Sequence, residues 1–167
     1  MSLANPVKGD TYGRSALESD LMRDEGIKLK AYCDTVGKLT IGVGRNLDDV
    51  GIHPGEESVL GITKESCIRD GITNVQAMVL LDNDMDTIAR QLDAQLPWWR
   101  TLSPRRQRVL LNMGFNLGVN GLLGFKNTLG LIKAGRYKDA ANGMLLSKWA
   151  RQVKARAARL AVDMEHG

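Results

Sequence analysis

From Thr73 to Pro97 apolar side chains return at helical spacing, at Val75, Met78, Met85, Ile88, Leu92 and Leu96, with no glycine or proline between them. A stretch of that length commits the chain to one continuous helix with a face that another element must cover. Thr73 and Gln76 form a capping box that starts it, and Pro97 stops it. The chain has 167 residues, 43% hydrophobic and 25% charged, so it holds enough material for one soluble domain to supply that cover itself; disorder and collagen-like repetition are excluded.

The segments on either side divide the chain. Residues 1–14, with Pro6, Gly9 and Gly13, read as an irregular arm. Ser15 to Glu18 fits a capping box that opens a first helix, which Gly26 can close. Leu39, Ile41 and Val43 then alternate with Thr40, which puts the threonine on the opposite face, and Asp34-Thr35-Val36-Gly37 has the Asp and Gly ends of a type I turn, so a β-hairpin is expected. Residues 44–72 are rich in Gly, Asp and Glu with weak periodicity and read as loops with one short helix. After Pro97, Ser103-Pro104 is a cap with proline at the first helical position, opening a segment that ends near Gly118. Shorter helices follow at about 127–134 and 137–147, and Val153, Ala157, Leu160 and Met164 make the apolar stripe of a last helix. The expected fold is α+β, a single domain over 15–167. It has a small hairpin lobe at about 27–72, a long helix at about 73–96 and a larger helical lobe at about 97–165.

A formal charge of +4 favours an acidic partner, whether nucleic acid, an anionic membrane or a cell-wall polymer, without selecting one. Cys33 and Cys67 are too few for a disulfide framework and, with only His53 and His166 to assist, lack metal-ligand spacing; free thiols and no metal or cofactor are expected. The longest apolar run, Met78 to Leu81, is far short of a membrane span, and the N-terminus has no apolar core of a secretory signal. Action beyond the cytoplasm therefore calls for a separate release route.

Three residues suggest chemistry. Glu25 falls in the last turn of the first helix, where the negative end of the helix dipole favours a protonated carboxyl, the state a general acid needs. Asp34 sits at the mouth of the hairpin and Thr40 on its second strand. One proton donor with a carboxylate and a hydroxyl that hold a water is the equipment of glycoside hydrolysis. Taken singly, the same residues are also a solvated helix-end charge, a turn former and a β-branched strand residue.

The residues Asp24-Glu25-Gly26, Leu29 to Gly37 and Leu39-Thr40-Ile41-Gly42-Val43-Gly44 resemble the Glu/Asp/Thr signature of the phage-type lysozymes, the bacteriophage endolysins of glycoside hydrolase family 24. Asn112 to Gly118, Gly124 to Leu129, and Ser147-Lys148-Trp149 followed by Arg156 and Arg159 resemble later motifs of that family, so the likeness runs over roughly residues 15–165. The resemblance implies a lysozyme-like fold and hydrolysis of the β-1,4 bond between N-acetylmuramic acid and N-acetylglucosamine in peptidoglycan. It implies Glu25 as general acid and Asp34 and Thr40 as holders of an inverting water. Phe115, Asn116 and Thr128 would line the glycan groove, with Asn46 near it. Arg156 would approach Glu25, and Arg159 would pair with Asp24. It implies a monomer acting on glycan strands, with neither nucleic acid nor stable membrane insertion, made in the host cytoplasm and released through a holin to the periplasmic wall.

The chain departs from that pattern at Arg45, where many relatives carry a histidine; an arginine can make a comparable carboxylate pair that does not titrate near neutrality. Asn142-Gly143 stands near the position of a substrate-contacting asparagine. Trp98-Trp99 fits either a sugar platform or helix packing, with packing expected, and Trp149 is expected in the core. The basic residues Arg151, Lys154, Arg156 and Arg159 are expected to engage the acidic first helix rather than a membrane. Two other activities compete. One is a lytic transglycosylase, which leaves 1,6-anhydro ends; the other is a non-catalytic cationic wall or membrane-active module.

Overall fold

The computed structural model describes residues 9–167, so the start of the expected arm, residues 1–8, lies outside the described residues. Among the described residues the chain is α+β, as expected: helices predominate, and the single sheet is small, antiparallel and ordered β1-β2-β3. Two compact units are distinguished, one from Glu18 to Asp84 and the other from the residues up to Leu17 together with Met85–Gly167.

Helix α1 (Arg14–Glu25) begins two residues earlier than the sequence suggests. The Asp10 carboxylate accepts the N–H groups of Tyr12, Gly13 and Arg14 at 3.1, 2.8 and 2.9 Å, so an aspartate four residues ahead takes the capping part expected of Ser15, which lies inside the first turn. Gly26 closes the helix as expected, with φ of 72° and its N–H on Met22 O.

In the Glu18–Asp84 unit the hairpin forms where the turn residues place it, from β1 (Lys28–Cys33) and β2 (Leu39–Gly42). Asp34 Oδ1 accepts the N–H groups of Val36 and Lys38 at 3.0 and 2.8 Å, and Gly37 N–H reaches Asp34 O at 3.0 Å. A third strand, β3 (Arg45–Asn46), was not expected. Nor were two helices in the segment read as loops with one: α2 (Pro54–Leu60) and α3 (Lys64–Asp70). Each is seven residues long, too short to display a period. Local caps define them instead, with His53 N–H on Glu56 Oε1 at 3.0 Å and the Thr63–Ser66 box. Ile41, Leu47, Ile62, Cys67, Ile72, Ala77 and Leu80 form the core of this unit, with Leu29, Ala31 and Leu39 packed on it.

Arg45 is the largest charged group enclosed here, its side chain 1% exposed. Its guanidinium meets both oxygens of Glu56 at 2.8 Å, Asp84 at 2.9–3.0 Å, and the carbonyls of Gly51 and Leu80 at 3.0 and 3.3 Å. It thereby ties β3 to α2 and to α4 (Asn74–Gln95). Burial works to raise the Glu56 carboxyl, but the hydrogen bonds from Arg45, Asn83 and the His53 N–H outweigh it and hold the group down to about 2, against an ordinary 4.5. Burial pushes the Asp84 carboxyl up in spite of Arg45. Since the folded-state value of Glu56 lies below the unfolded one, its contribution, on the order of 3 kcal/mol, is complete above about pH 4.5 and is lost as pH falls toward 2, while Asp84 works in the opposite direction. Urea melts across this range are expected to show stability falling steeply below pH 4.5, and a Glu56→Gln variant is expected to lack most of that slope.

Helix α4 is the long helix expected, its Thr73–Gln76 box formed at 2.8 and 3.1 Å. Its buried face is Ala77, Leu80, Leu81, Met85, Ala89 and Leu92; Val75, read as part of that stripe, is 72% exposed. As the second residue of the helix, this valine marks the period without sharing the burial.

In the other unit Trp99, on a single 3-10 turn (Trp99–Thr101), is fully buried, as packing predicts. Its indole N–H donates to Asp93 at 2.8 Å and its ring lies 6.1 Å from that of Tyr12. Helix α5 (Pro104–Leu123) opens on the expected Ser103 cap and breaks where expected, at Gly118, whose φ of 72° and ψ of 155° no other residue takes readily. Helices α6 (Lys126–Lys133) and α7 (Tyr137–Leu145) match the expected pair. Arg106 stacks 3.5 Å over Tyr137 and donates to the carbonyls of Met164 and Glu165, completing the end of the last helix.

That last element is two helices, α8 (Lys148–Val153) and α9 (Ala155–His166), so Val153 does not share a helix with Ala157, Leu160 and Met164. Between them Lys154 adopts φ 51° and ψ −111°, a conformation that costs a non-glycine residue about 1–3 kcal/mol. Lys154→Gly is expected to raise stability by roughly 1 kcal/mol, read as a melting temperature about 3 °C higher.

Candidate active site

Asp34 and Thr40 are fixed by one residue between them. Asp34 Oδ1 accepts the N–H of Lys38, and Thr40 Oγ1 donates to the carbonyl of the same Lys38 at 3.0 Å. Asp34 also spends its backbone N–H on Lys38 O at 2.8 Å, which closes the hairpin and sets its register. The chemical consequence lies in what each side chain has left. Among the described residues Asp34 Oδ2 takes no protein hydrogen bond, so one carboxylate oxygen anchors and the other remains an acceptor. Thr40, its proton committed to a carbonyl, likewise offers only lone pairs. Two acceptors of this kind suit a water that points both hydrogens inward and its own lone pair outward.

Thr40 is buried, at 4% exposure, and its face of the sheet is shared by its two cross-strand partners. These are Tyr32 on β1 and Asn46 on β3. The Asn46 side chain is committed to its own turn, accepting the N–H groups of Asp48 and Asp49 at 2.9 and 2.8 Å and donating to Asp49 at 3.1 Å. Tyr32 is half-buried. Burial raises its phenol, and the negative charges of Glu25 and Asp34 raise it further, so the ring tip lies in the field of both carboxylates and stays protonated. Glu25 is the last residue of α1, separated from β1 only by Gly26 and Ile27. The hairpin and the end of α1 therefore bring Glu25, Asp34 and Thr40 around one tyrosine.

Asp24 turns inward, its side chain 1% exposed and accepting Arg23 Nε at 3.3 Å. In the other unit, Asn116 is exposed and its side-chain carbonyl takes the indole N–H of Trp149 at 2.7 Å, while Phe115 is half-buried. Trp149 is in the core as expected, edge-on to Phe125 at 6.0 Å. Thr128 is 7% exposed, with its hydroxyl 3.0 Å from where a side chain on Gly143 would begin. The Asn142-Gly143 step thus lets α7 lie close to α6. Arg156, 8% exposed, donates to Asn112 Oδ1 at 2.9 Å, and Arg159 is exposed. Among the described residues no three His, Cys, Asp or Glu side chains gather as metal ligands.

Tyr32 and Lys28, whose ammonium lies 4.1 Å above the Tyr32 ring, were not singled out from the sequence. The turn contained the signal. Once Asp34 faces Lys38 across the hairpin, Cys33 must face Leu39 and Tyr32 must face Thr40. The Arg45 partners Glu56 and Asp84 were missed because one lies in the segment without a period and the other on a distant helix.

The family described as phage lysozyme matches residues 22–161. The chain is 32% identical over 148 residues to the pre-baseplate central spike protein Gp5 of Enterobacteria phage T4, a match covering 84% of this chain and 26% of that protein, so it spans about a quarter of the spike protein's length. It is 30% identical over 162 residues to the probable T4-type lysozyme 1 of Dictyostelium discoideum, covering 92% of this chain and 95% of that one. The probable T4-type lysozyme 2 of the same organism is 28% identical over the same length. Among the described residues no helix is long and apolar enough to cross a membrane.

Proposed function

Since the chain belongs to the phage lysozyme family and is a glycoside hydrolase of the lysozyme type, we propose that it cleaves the β-1,4 bond between N-acetylmuramic acid and N-acetylglucosamine in bacterial peptidoglycan, with inversion. The observation that carries this reading is the pair of spare acceptors, Asp34 Oδ2 and Thr40 Oγ1, fixed through Lys38. Glu25 gives its proton to the glycosidic oxygen as the bond from that oxygen to the anomeric carbon breaks. A water held by Asp34 and Thr40 attacks the same carbon from the other face and passes its proton to Asp34. The product keeps a free reducing end, Glu25 is left ionised and Asp34 protonated, and exchange with solvent restores both. Phe115, Asn116 and Thr128 are the glycan contacts in this reading, as the family resemblance implies. Asn46, whose amide oxygen holds the loop beside Thr40 and whose amide nitrogen donates to Asp49, stands near the groove in the same reading.

The same proposal makes the protein a monomeric endolysin, active on the periplasmic wall after holin-dependent release, with glycan strands rather than nucleic acid as its partner. Analysis of the ends produced from purified peptidoglycan tests the chemistry. Reducing muramic acid ends that first appear as the α anomer are expected. Retained β anomers would contradict a directly attacking water, and 1,6-anhydro ends would replace hydrolysis with transglycosylation.

A further inference from the structure

Between Glu18 and Asp84 almost every cation has a protein oxygen for a partner. Arg23 meets Asp20 and Asp24, Lys30 the carbonyl of Asp70, Lys38 Asp49, Arg45 its two carboxylates, Lys64 Asp48 and Arg69 Asp70. Lys28 is the exception among the described residues: its ammonium is exposed and meets only the face of Tyr32, 4.1 Å from the ring centroid. An aromatic face restrains a lysine without neutralising it, because the ring quadrupole attracts the ammonium and leaves its three N–H donors free. The irregular pairing between Lys28 and Tyr32 sets the lysine back over the ring. That ring faces Thr40 across the hairpin. A positive charge is therefore held against the tyrosine that pairs with Thr40 across the hairpin.

We propose that Lys28, seated on Tyr32, is a binding subsite for carboxylates carried on the muramic acid side chain, and that it gives the enzyme a preference for acidic over neutral β-1,4 glycan. This rests on the muramidase reading and adds a substrate determinant to it. Each muramic acid bears a lactyl group, which is itself a carboxylate or is amide-linked to a peptide that ends in carboxylates; N-acetylglucosamine bears neither. An exposed ammonium beside the cleavage site distinguishes the two sugars by charge.

The test compares wild type, Lys28→Gln and Lys28→Arg on three substrates: purified peptidoglycan, the same material stripped of peptide by an amidase, and peptidoglycan whose carboxylates have been capped as methylamides. Lys28→Gln is expected to raise KM roughly three- to tenfold on uncapped substrate with kcat nearly unchanged, to show no further loss on capped material, and to respond less to salt. Lys28→Arg restores the wild-type KM. Loss confined to intact peptidoglycan assigns the peptide carboxylates, and loss confined to stripped glycan assigns the lactyl group. Lys138→Gln, on an exposed part of α7, removes the same charge and controls for general attraction to the wall. A KM for Lys28→Gln equal to wild type on all substrates, or a Lys138→Gln effect of the same size, overturns the subsite and leaves the muramidase assignment standing. Sedimentation of the Glu25→Gln protein, with and without Lys28→Gln, on capped and uncapped peptidoglycan reads the same preference without turnover. If wild type cleaves nothing, that binding measurement still decides the subsite while the hydrolytic reading fails.

Discussion

Glu25→Gln is expected to clear no turbidity from a suspension of purified cell walls, a loss of at least about a hundredfold, at the lower edge of what a positioned general acid contributes. The substitution keeps the size and polarity of the side chain at the end of α1 and removes only the transferable proton. Its melting temperature should therefore stay within a degree or two of wild type. A folded variant that clears walls at the wild-type rate would end the hydrolytic assignment. The cationic alternative makes the opposite forecast: killing would survive Glu25→Gln and vanish on charge reversal at the exposed Arg151 and Lys154.

The largest effect on stability is expected at Arg45. Arg45→Met replaces a guanidinium with six oxygen partners by an apolar chain and leaves Glu56, 6% exposed, and Asp84, 20% exposed, without their countercharge. Breaking a buried pair on one side costs about 3–5 kcal/mol, because the stranded charge keeps its desolvation penalty. For a chain of this size that is a fall of roughly 10 °C in melting temperature, measurable by circular dichroism. Adding Glu56→Gln to Arg45→Met should recover a good part of it, since one stranded charge is then gone. If the double variant melts no higher than the single one, lost packing rather than stranded charge is the cause.

The contrast between these residues explains what could be read from the sequence. Asp34, Gly37 and Thr40 were legible because a four-residue turn has fixed requirements at each position, and the hairpin follows from it. α4 was legible because its 22 residues repeat the helical period several times, although Val75 shows that period and burial part company at a helix end. α2 and α3 were hidden because two turns of helix display almost no period, and their caps were the only clue. The first cap was misread for a related reason: an aspartate ahead of a glycine reached over the serine that local spacing favours. For the candidate site, the three side chains were legible but their coupling was not. From the sequence alone, a turn former and a water holder are alternative readings of Asp34. The structure engages one carboxylate oxygen in the turn and leaves the other without a protein hydrogen bond among the described residues, so the turn does not use up the group that the proposed water would need.

That Asp34 and Thr40 are both aligned through the peptide groups of Lys38 has a bearing on how such a protein can diversify. The alignment is encoded by main-chain atoms, so natural variation can recolour position 38 with nearly any side chain and leave the pair untouched. Proline is the one substitution closed to it, for want of an amide hydrogen.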